Sequence, residues 1–327
     1  MSQTAGTPIR VPASAFLLID SQDRDQRATS QLANILPQYW PQPLNNFNIQ
    51  KRQPFVSGYF HRIGTTEVKF EYNTPNINER NNKIEVAVPA GDPSTTITVP
   101  PGFYTPVELA AALQQLFQTA FNTHTWIITF ESELSAFKIT TNGETTDFQL
   151  VPFEYDTIDR TKRGLYFLMN WGDGSTYWPQ SSETEQYGLP EPSMTYTRYI
   201  DICSTKLTQY QLVKDNGTRE NTTPAVLLRL YIGNYCNEGV GDGDTSAQFD
   251  WPGCRPCMIH RLYTTPKYSM WNPGQYIDNI DIELRDDAGE LLLVPGDYIQ
   301  AFDDFGDNVQ YHFASNEFQL TVHCSET

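Results

Sequence analysis

Apolar and polar residues alternate along much of this chain, and at one place the alternation gives way to a helical period. In Glu67–Tyr72 the apolar residues Val68, Phe70 and Tyr72 share one face, and in Lys83–Val88 Ile84, Val86 and Val88 do the same. Ile280–Arg285 and Phe318–His323 repeat the pattern near the C-terminus. A period of two is the signature of a half-buried strand. Further strands are expected at Phe16–Ile19, Trp126–Phe130, Phe137–Thr140, Phe148–Val151, Tyr199–Cys203, Val226–Ile232 and Met258–Tyr263. Trp126–Phe130 and Phe137–Thr140 form a hairpin in this reading. So do Ile280–Arg285 and Leu291–Val294, joined by the turn Asp286–Gly289.

The exception is Thr96–Ala120. Thr105 stands where an N-cap belongs, Pro106 at the first helical position and Glu108 three residues after the cap. That spacing predicts a capping box, which satisfies two orphan amides, with a proline that pre-sets the backbone. Leu109, Leu113, Leu116, Phe117 and Ala120 then give one apolar face to dock on a sheet. Residues 1–45 read as an N-terminal arm with one strand-forming segment. Asn73–Asn82 is dense in turn residues and reads as a structured connection. Residues 152–195 read as loop-rich and exposed. The fold class expected is all-β: an antiparallel sandwich interrupted by an insertion that carries one amphipathic helix.

Composition agrees. The 327 residues include 18 Tyr, 18 Phe, 22 Pro and 20 Gly, a mixture of aromatics and turn-formers that suits sandwiches and barrels. No stretch reaches the roughly 18 to 20 apolar residues of a membrane helix, and the first residues lack the basic start and apolar core of a secretory signal. A soluble protein is expected. Net charge is −17, and from Trp271 onward twelve acidic residues face one basic residue, Arg285. Such a surface repels phosphate backbones, so direct nucleic-acid binding is not expected.

Candidate chemistry is sparse. His61, His124, His260, His312 and His323 fall in no metal-ligand spacing. Cys254 and Cys257 form a lone CxxC, with His260 after it and Cys236 before it. Zinc or a disulfide is conceivable there, but no second CxxC accompanies it, and free, mostly buried thiols are the expected state of the five cysteines. Gly239–Ser246 lacks the later bidentate Glu of a calcium loop. The adjacent pairs Asp286/Asp287 and Asp303/Asp304 point apart in a strand or turn, which disfavours paired-carboxylate hydrolysis. Asn216 and Asn221 begin glycosylation-type triplets that read as a polar loop. Trp171 and Trp178, if exposed, could stack on sugars. No catalytic, cofactor-binding or metal-binding residue is expected, and no enzyme activity.

Four segments, in order, resemble the penton-type capsid proteins of virophages, Polinton-like viruses and adenovirus-related large DNA viruses. They are Phe16–Arg24 (FLLIDSQDR), Asn76–Asn82 (NINERNN), Val99–Leu109 (VPPGFYTPVEL) and Ile280–Gly289 (IDIELRDDAG). The resemblance spans most of the chain from Phe16 onward. It implies a single jelly roll, residues 46–96 and 196–327, with an upper insertion domain at 97–195. It further implies a structural capsid protein of the virion that forms homopentamers at fivefold vertices. Its partners would be copies of itself, the surrounding major capsid protein and, through the N-terminal arm, minor capsid proteins. The alternative is a carbohydrate- or receptor-binding jelly-roll module of a fibre or minor capsid component.

Overall fold

The computed structural model describes residues 14–24, 26–29, 38–41, 44–90, 92–141, 148–151, 165–171, 185–188, 190, 192, 194–210, 226–232, 256–293, 299–302, 308–311 and 316–326. Along the chain come β1 (Ser14–Asp20), β2 (Gln26–Thr29), β3 (Gln38–Pro41), β4 (Asn46–Gln50), β5 (Arg62–Tyr72), β6 (Lys83–Ala87) and β7 (Thr95–Thr98). Helix α1 (Pro106–Ala120) precedes β8 (Trp126–Glu131), β9 (Ala136–Thr141) and β10 (Gln149–Val151). After the short helix α2 (Leu165–Leu168) follow β11 (Glu185–Tyr187), β12 (Tyr199–Cys203), β13 (Val226–Tyr231), β14 (Cys257–Leu262) and β15 (Tyr268–Met270). The last strands are β16 (Asn279–Arg285), β17 (Ile299–Phe302), β18 (Asn308–Tyr311) and β19 (Phe318–Ser325). Among the described residues the fold is all-β apart from α1, α2 and a single 3-10 turn at Ser21–Asp23.

It divides into two compact units. The first holds Met1–Tyr72, Tyr199–Leu230 and Met258–Thr327; the second holds Asn73–Arg198 and Tyr231–Cys257. The sequence reading set its borders at 96/97 and 195/196. Strand β6 pairs with β7 on one side and β10 on the other, not with β5, and the first border lies at Tyr72. A second excursion, between β13 and β14, also belongs to the second unit and left no pattern in the sequence. Strand β1, read as part of an arm, is a full member of a sheet, paired with β19 over all seven residues.

The first unit is a sandwich whose connectivity defines its class. One sheet runs β1-β19-β5-β14, with β15 also on β5, and the other runs β13-β12-β16-β4. Counted along the chain, the first of these eight strands lies beside the eighth, the second beside the seventh, the third beside the sixth and the fourth beside the fifth. That nested pairing is a jelly roll. Alternation supplies its core: Leu17, Ile19, Val68, Phe70, Leu320 and Val322 point inward from one sheet, and Phe47, Ile49, Ile200, Ile202, Ile280 and Ile282 from the other. The sheets meet where Phe47 and Phe318 rings lie 5.7 Å apart, with Phe70, the cross-strand neighbour of Phe318, at 6.1 Å from it. Each such side chain contributes roughly 1.5–3 kcal/mol by leaving water. The hairpin read after Ile280–Arg285 turns back as read, with a bridge between Arg285 and Leu291 and the Leu292 amide donating to the Leu284 carbonyl at 2.9 Å; Val294 lies outside the described residues.

The second unit packs α1 over two three-stranded sheets, β10-β6-β7 and β11-β9-β8. The capping box forms as read: Thr105 Oγ1 accepts from the Glu108 amide, and the Thr105 amide donates to Glu108 Oε2. Leu109, Leu113 and Phe117 are buried, with Ala110 completing the face in place of Ala120, which is exposed. Trp126 sits against Phe117 and Phe148, at 5.0 and 5.2 Å between ring centroids.

The turn-dense segment Asn76–Asn82 is the joint of this unit. Asn76 is fully buried; its Nδ2 donates to the carbonyls of Tyr104 (2.7 Å) and Met194 (3.0 Å), and its Oδ1 accepts from the Tyr104 amide (2.9 Å). Asn81 Nδ2 donates to the Asn76 carbonyl and its Oδ1 accepts from the Asn78 amide. Asn82 Nδ2 reaches the Val99 carbonyl. One short segment thereby satisfies backbone groups of two distant stretches, Val99–Tyr104 and Met194, that burial would otherwise leave unpaired.

Candidate assembly surface

The residues with chemical potential are dispersed into structural roles. Among the described residues no three His, Cys, Asp or Glu side chains converge as a metal site. Cys203 and Cys324 are free and buried, and burial pushes both thiols up to about 12. Cys257, expected as a free thiol, is disulfide-bonded, which also removes it as a thiolate ligand. Cys236 and Cys254 lie outside the described residues. Asp286 is buried; its Oδ1 accepts from the amides of Ala288 and Glu290 and so builds the turn it was read into. Trp171, considered as an exposed sugar platform, is 2% exposed in the core of the second unit. Leu165, Tyr166, Leu168 and Met169 join it there, so this part of the segment read as surface loop is interior. Their spacing was a weak signal for a core segment, diluted by the polar residues around it. Trp178, His312, Asp303, Asp304, Asn216, Asn221 and Gly239–Ser246 also lie outside the described residues.

What stands out instead is a surface. The outward face of the second sheet is polar: Arg229 pairs with both carboxylate oxygens of Asp201 (2.7 and 2.8 Å) and stacks 3.8 Å over Tyr199, and Arg285 pairs with Glu283 (2.7 Å). Strands β4, β12 and β16 expose no large apolar side chain, and on β13 only Tyr231 among the described residues does, at 48%. This is the usual outer face of a sandwich.

The outward face of the first sheet is different. On β1, Leu17 and Ile19 point inward, so Phe16 and Leu18 point out, 68% and 63% exposed. On β14 the buried Ile259 turns Met258, His260 and Leu262 outward, with Leu262 67% exposed. On β15, Tyr268 and Met270 flank the buried Ser269 and face out likewise. The β19–β5 centre between them is mostly polar. Register places Leu18 beside Thr321, and Thr321 beside Glu67. The Glu67 carboxylate bonds His260 at 2.9 Å and accepts from Thr321 Oγ1 at 3.2 Å. The His260 bond holds the Glu67 carboxyl below its usual range, with Thr321 adding to this against a burial effect that raises it. The adjoining row is aromatic. Phe16 stacks on His323 at 4.9 Å, His323 pairs with Gly64, and Gly64 pairs with Tyr268.

These exposed apolar side chains set the first sheet's outer face apart from that of the second. Nothing in this arrangement activates a nucleophile or poises a general acid.

No protein-family profile matches this chain, and no curated protein does. Among solved structures, the chain is similar to the crystal structure of the mavirus penton protein, at 11% identity and a TM-score of 0.46, over 97% of this chain and 100% of that one.

Proposed function

We propose that this chain is a structural, non-enzymatic capsid protein, a penton whose homopentamers close the fivefold vertices of an icosahedral virion. The observation that carries the reading is the jelly roll with one polar outer face and one outer face rich in exposed apolar side chains. A subunit that lives alone has no use for such a face; a subunit of a shell does.

The segments that carry the family resemblance support the same reading, because they occupy joints of the fold. Phe16–Arg24 is β1 with the turn after it, capped where Asp20 accepts from the Gln22 amide. Asn76–Asn82 is the buried asparagine cluster, Val99–Leu109 leads into the capped helix, and Ile280–Gly289 is β16 with the Asp286 turn. In this reading major capsid proteins surround the penton, and residues before β1 reach minor capsid proteins. The acidity of the chain keeps the genome off it. The alternative of a sugar-binding module has lost its Trp171 platform to burial.

The test is the mass of the purified protein by light scattering, across a concentration series and at two salt levels. A species near five times 37.3 kDa supports the penton reading. A stable trimer overturns it in favour of a fibre or spike.

A further inference from the structure

We propose that the ring closes head to tail through two different patches on the outward face of the first sheet. The β1 edge of one copy, carrying Phe16 and Leu18, docks on the β14/β15 edge of the next, carrying Met258, Leu262 and Met270. This pairing rests on the penton reading and adds to it the two surfaces and their polarity.

Three observations carry it. First, the exposed apolar residues lie at opposite margins of one sheet, not at its centre. The order β1-β19-β5-β14 separates them by three inter-strand steps of about 4.8 Å each; the intervening side chains include Gln319, Thr321, Glu67 and Lys69, and only the row through His323 and Gly64 carries aromatic contact from Phe16 to Tyr268. A single central patch would favour a two-fold, self-complementary contact. Two patches at opposite margins suit a contact in which each subunit offers one and receives the other, and such contacts generate rings.

Second, the margins carry opposite charge. Around β1 and the ends of β19 stand Asp20, Asp23, Glu317 and Glu326 against one Arg24. Residues 256–270, which include β14 and β15, hold Arg261 and Lys267 and no carboxylate of their own, in a chain whose net charge is −17; the neighbouring Glu67 carboxylate is engaged by His260 at 2.9 Å. Opposite fields fix register and orient the encounter. They also set like charge against like when two identical margins meet, which disfavours the self-complementary alternative.

Third, β1 ends its sheet: among the described residues no strand pairs with its far side. Its alternate amides and carbonyls face outward beside Phe16 and Leu18. An uncovered edge of this kind invites association, and a ring contact covers it in every subunit.

The experiment uses the full chain and sedimentation velocity on wild type, Leu18→Glu and Leu262→Glu, each alone and the two variants mixed in equal amounts. Both positions are exposed, so the urea midpoint of each variant is expected to match wild type. The expected result is a five-subunit species for wild type, monomers for each variant alone, and a one-to-one dimer in the mixture. Each variant keeps one good margin, and the two good margins form a single junction that cannot propagate. Should either variant fail to fold, Leu18→Cys/Leu262→Cys in one chain replaces it; mild oxidation is then expected to give a crosslinked ladder ending at five. Variants that still form five-subunit rings, a variant that dimerises with itself, or a mixture that stays monomeric each overturn this pairing and leave the penton reading standing. A wild type that forms a trimer overturns the penton reading and this pairing with it.

Discussion

The Tyr268 ring lies across Gly64. A Cβ at position 64 would stand 2.7 Å from Tyr268 Cδ1, 2.9 Å from its Cε1 and 3.2 Å from the Lys267 carbonyl. Gly64 is paired with His323 on one side and with Tyr268 on the other, so the missing side chain lets the aromatic row continue across the sheet. Gly64→Ala is therefore expected to displace the ring and strain β15, with a cost of about 1–3 kcal/mol for overpacking. Urea unfolding checks this. In a Tyr268→Ala background the same substitution should cost clearly less, leaving only the approach to the Lys267 carbonyl.

Asn76 is the position where one substitution should loosen the second unit most. Asn76→Asp keeps the shape but loses the amide protons that satisfy the Tyr104 and Met194 carbonyls. Each buried polar group left without a partner costs roughly 1–3 kcal/mol, so a loss of about 2 kcal/mol or more is expected. Hydrogen exchange at the amides of Tyr104 and α1 reports it locally. Unchanged protection there would remove the asparagine cluster from its role as a joint.

Helix α1 is held by its buried face more than by its cap. Leu113 is fully buried among the sheet residues, and Leu113→Ala is expected to cost about 2–5 kcal/mol. Thr105→Ala removes the cap and is expected to cost only about 1 kcal/mol. Thermal melts of the two variants test the ranking; equal losses would mean the helix is weakly docked.

The buried thiols should be silent. With Cys203 and Cys324 both pushed up to about 12 by burial, each is protonated and shielded in the native state. Neither should react with a thiol reagent at pH 8 until the protein unfolds. Because the folded values exceed the unfolded value of about 8.5, their contribution to stability is complete below that pH and is lost as pH rises toward 12. Rapid native labelling of either residue, read by mass spectrometry, would contradict this burial.

Local chemistry made part of this fold legible. The Thr105–Glu108 capping box and the Leu109, Leu113, Phe117 face sit where their spacing put them, because a helix start is decided by neighbours within one turn. The alternation of Ile280–Arg285 and Phe318–His323 likewise marked strands, since period two records burial on one face only. Resemblance, and not periodicity, pointed to the jelly roll and the vertex role. The tertiary structure decided which strands are neighbours. It paired β1 with β19 across nearly the whole chain, moved β6 and β7 out of the sandwich, and buried Trp171. It also showed that Phe16 and Leu18 face away from the core while Leu17 and Ile19 face into it. An apolar run such as Phe16–Ile19 has residues for both faces, and a sequence carries no mark of which face a distant strand will cover. That choice belongs to long-range pairing, and through it the sheet acquires its exposed apolar margins.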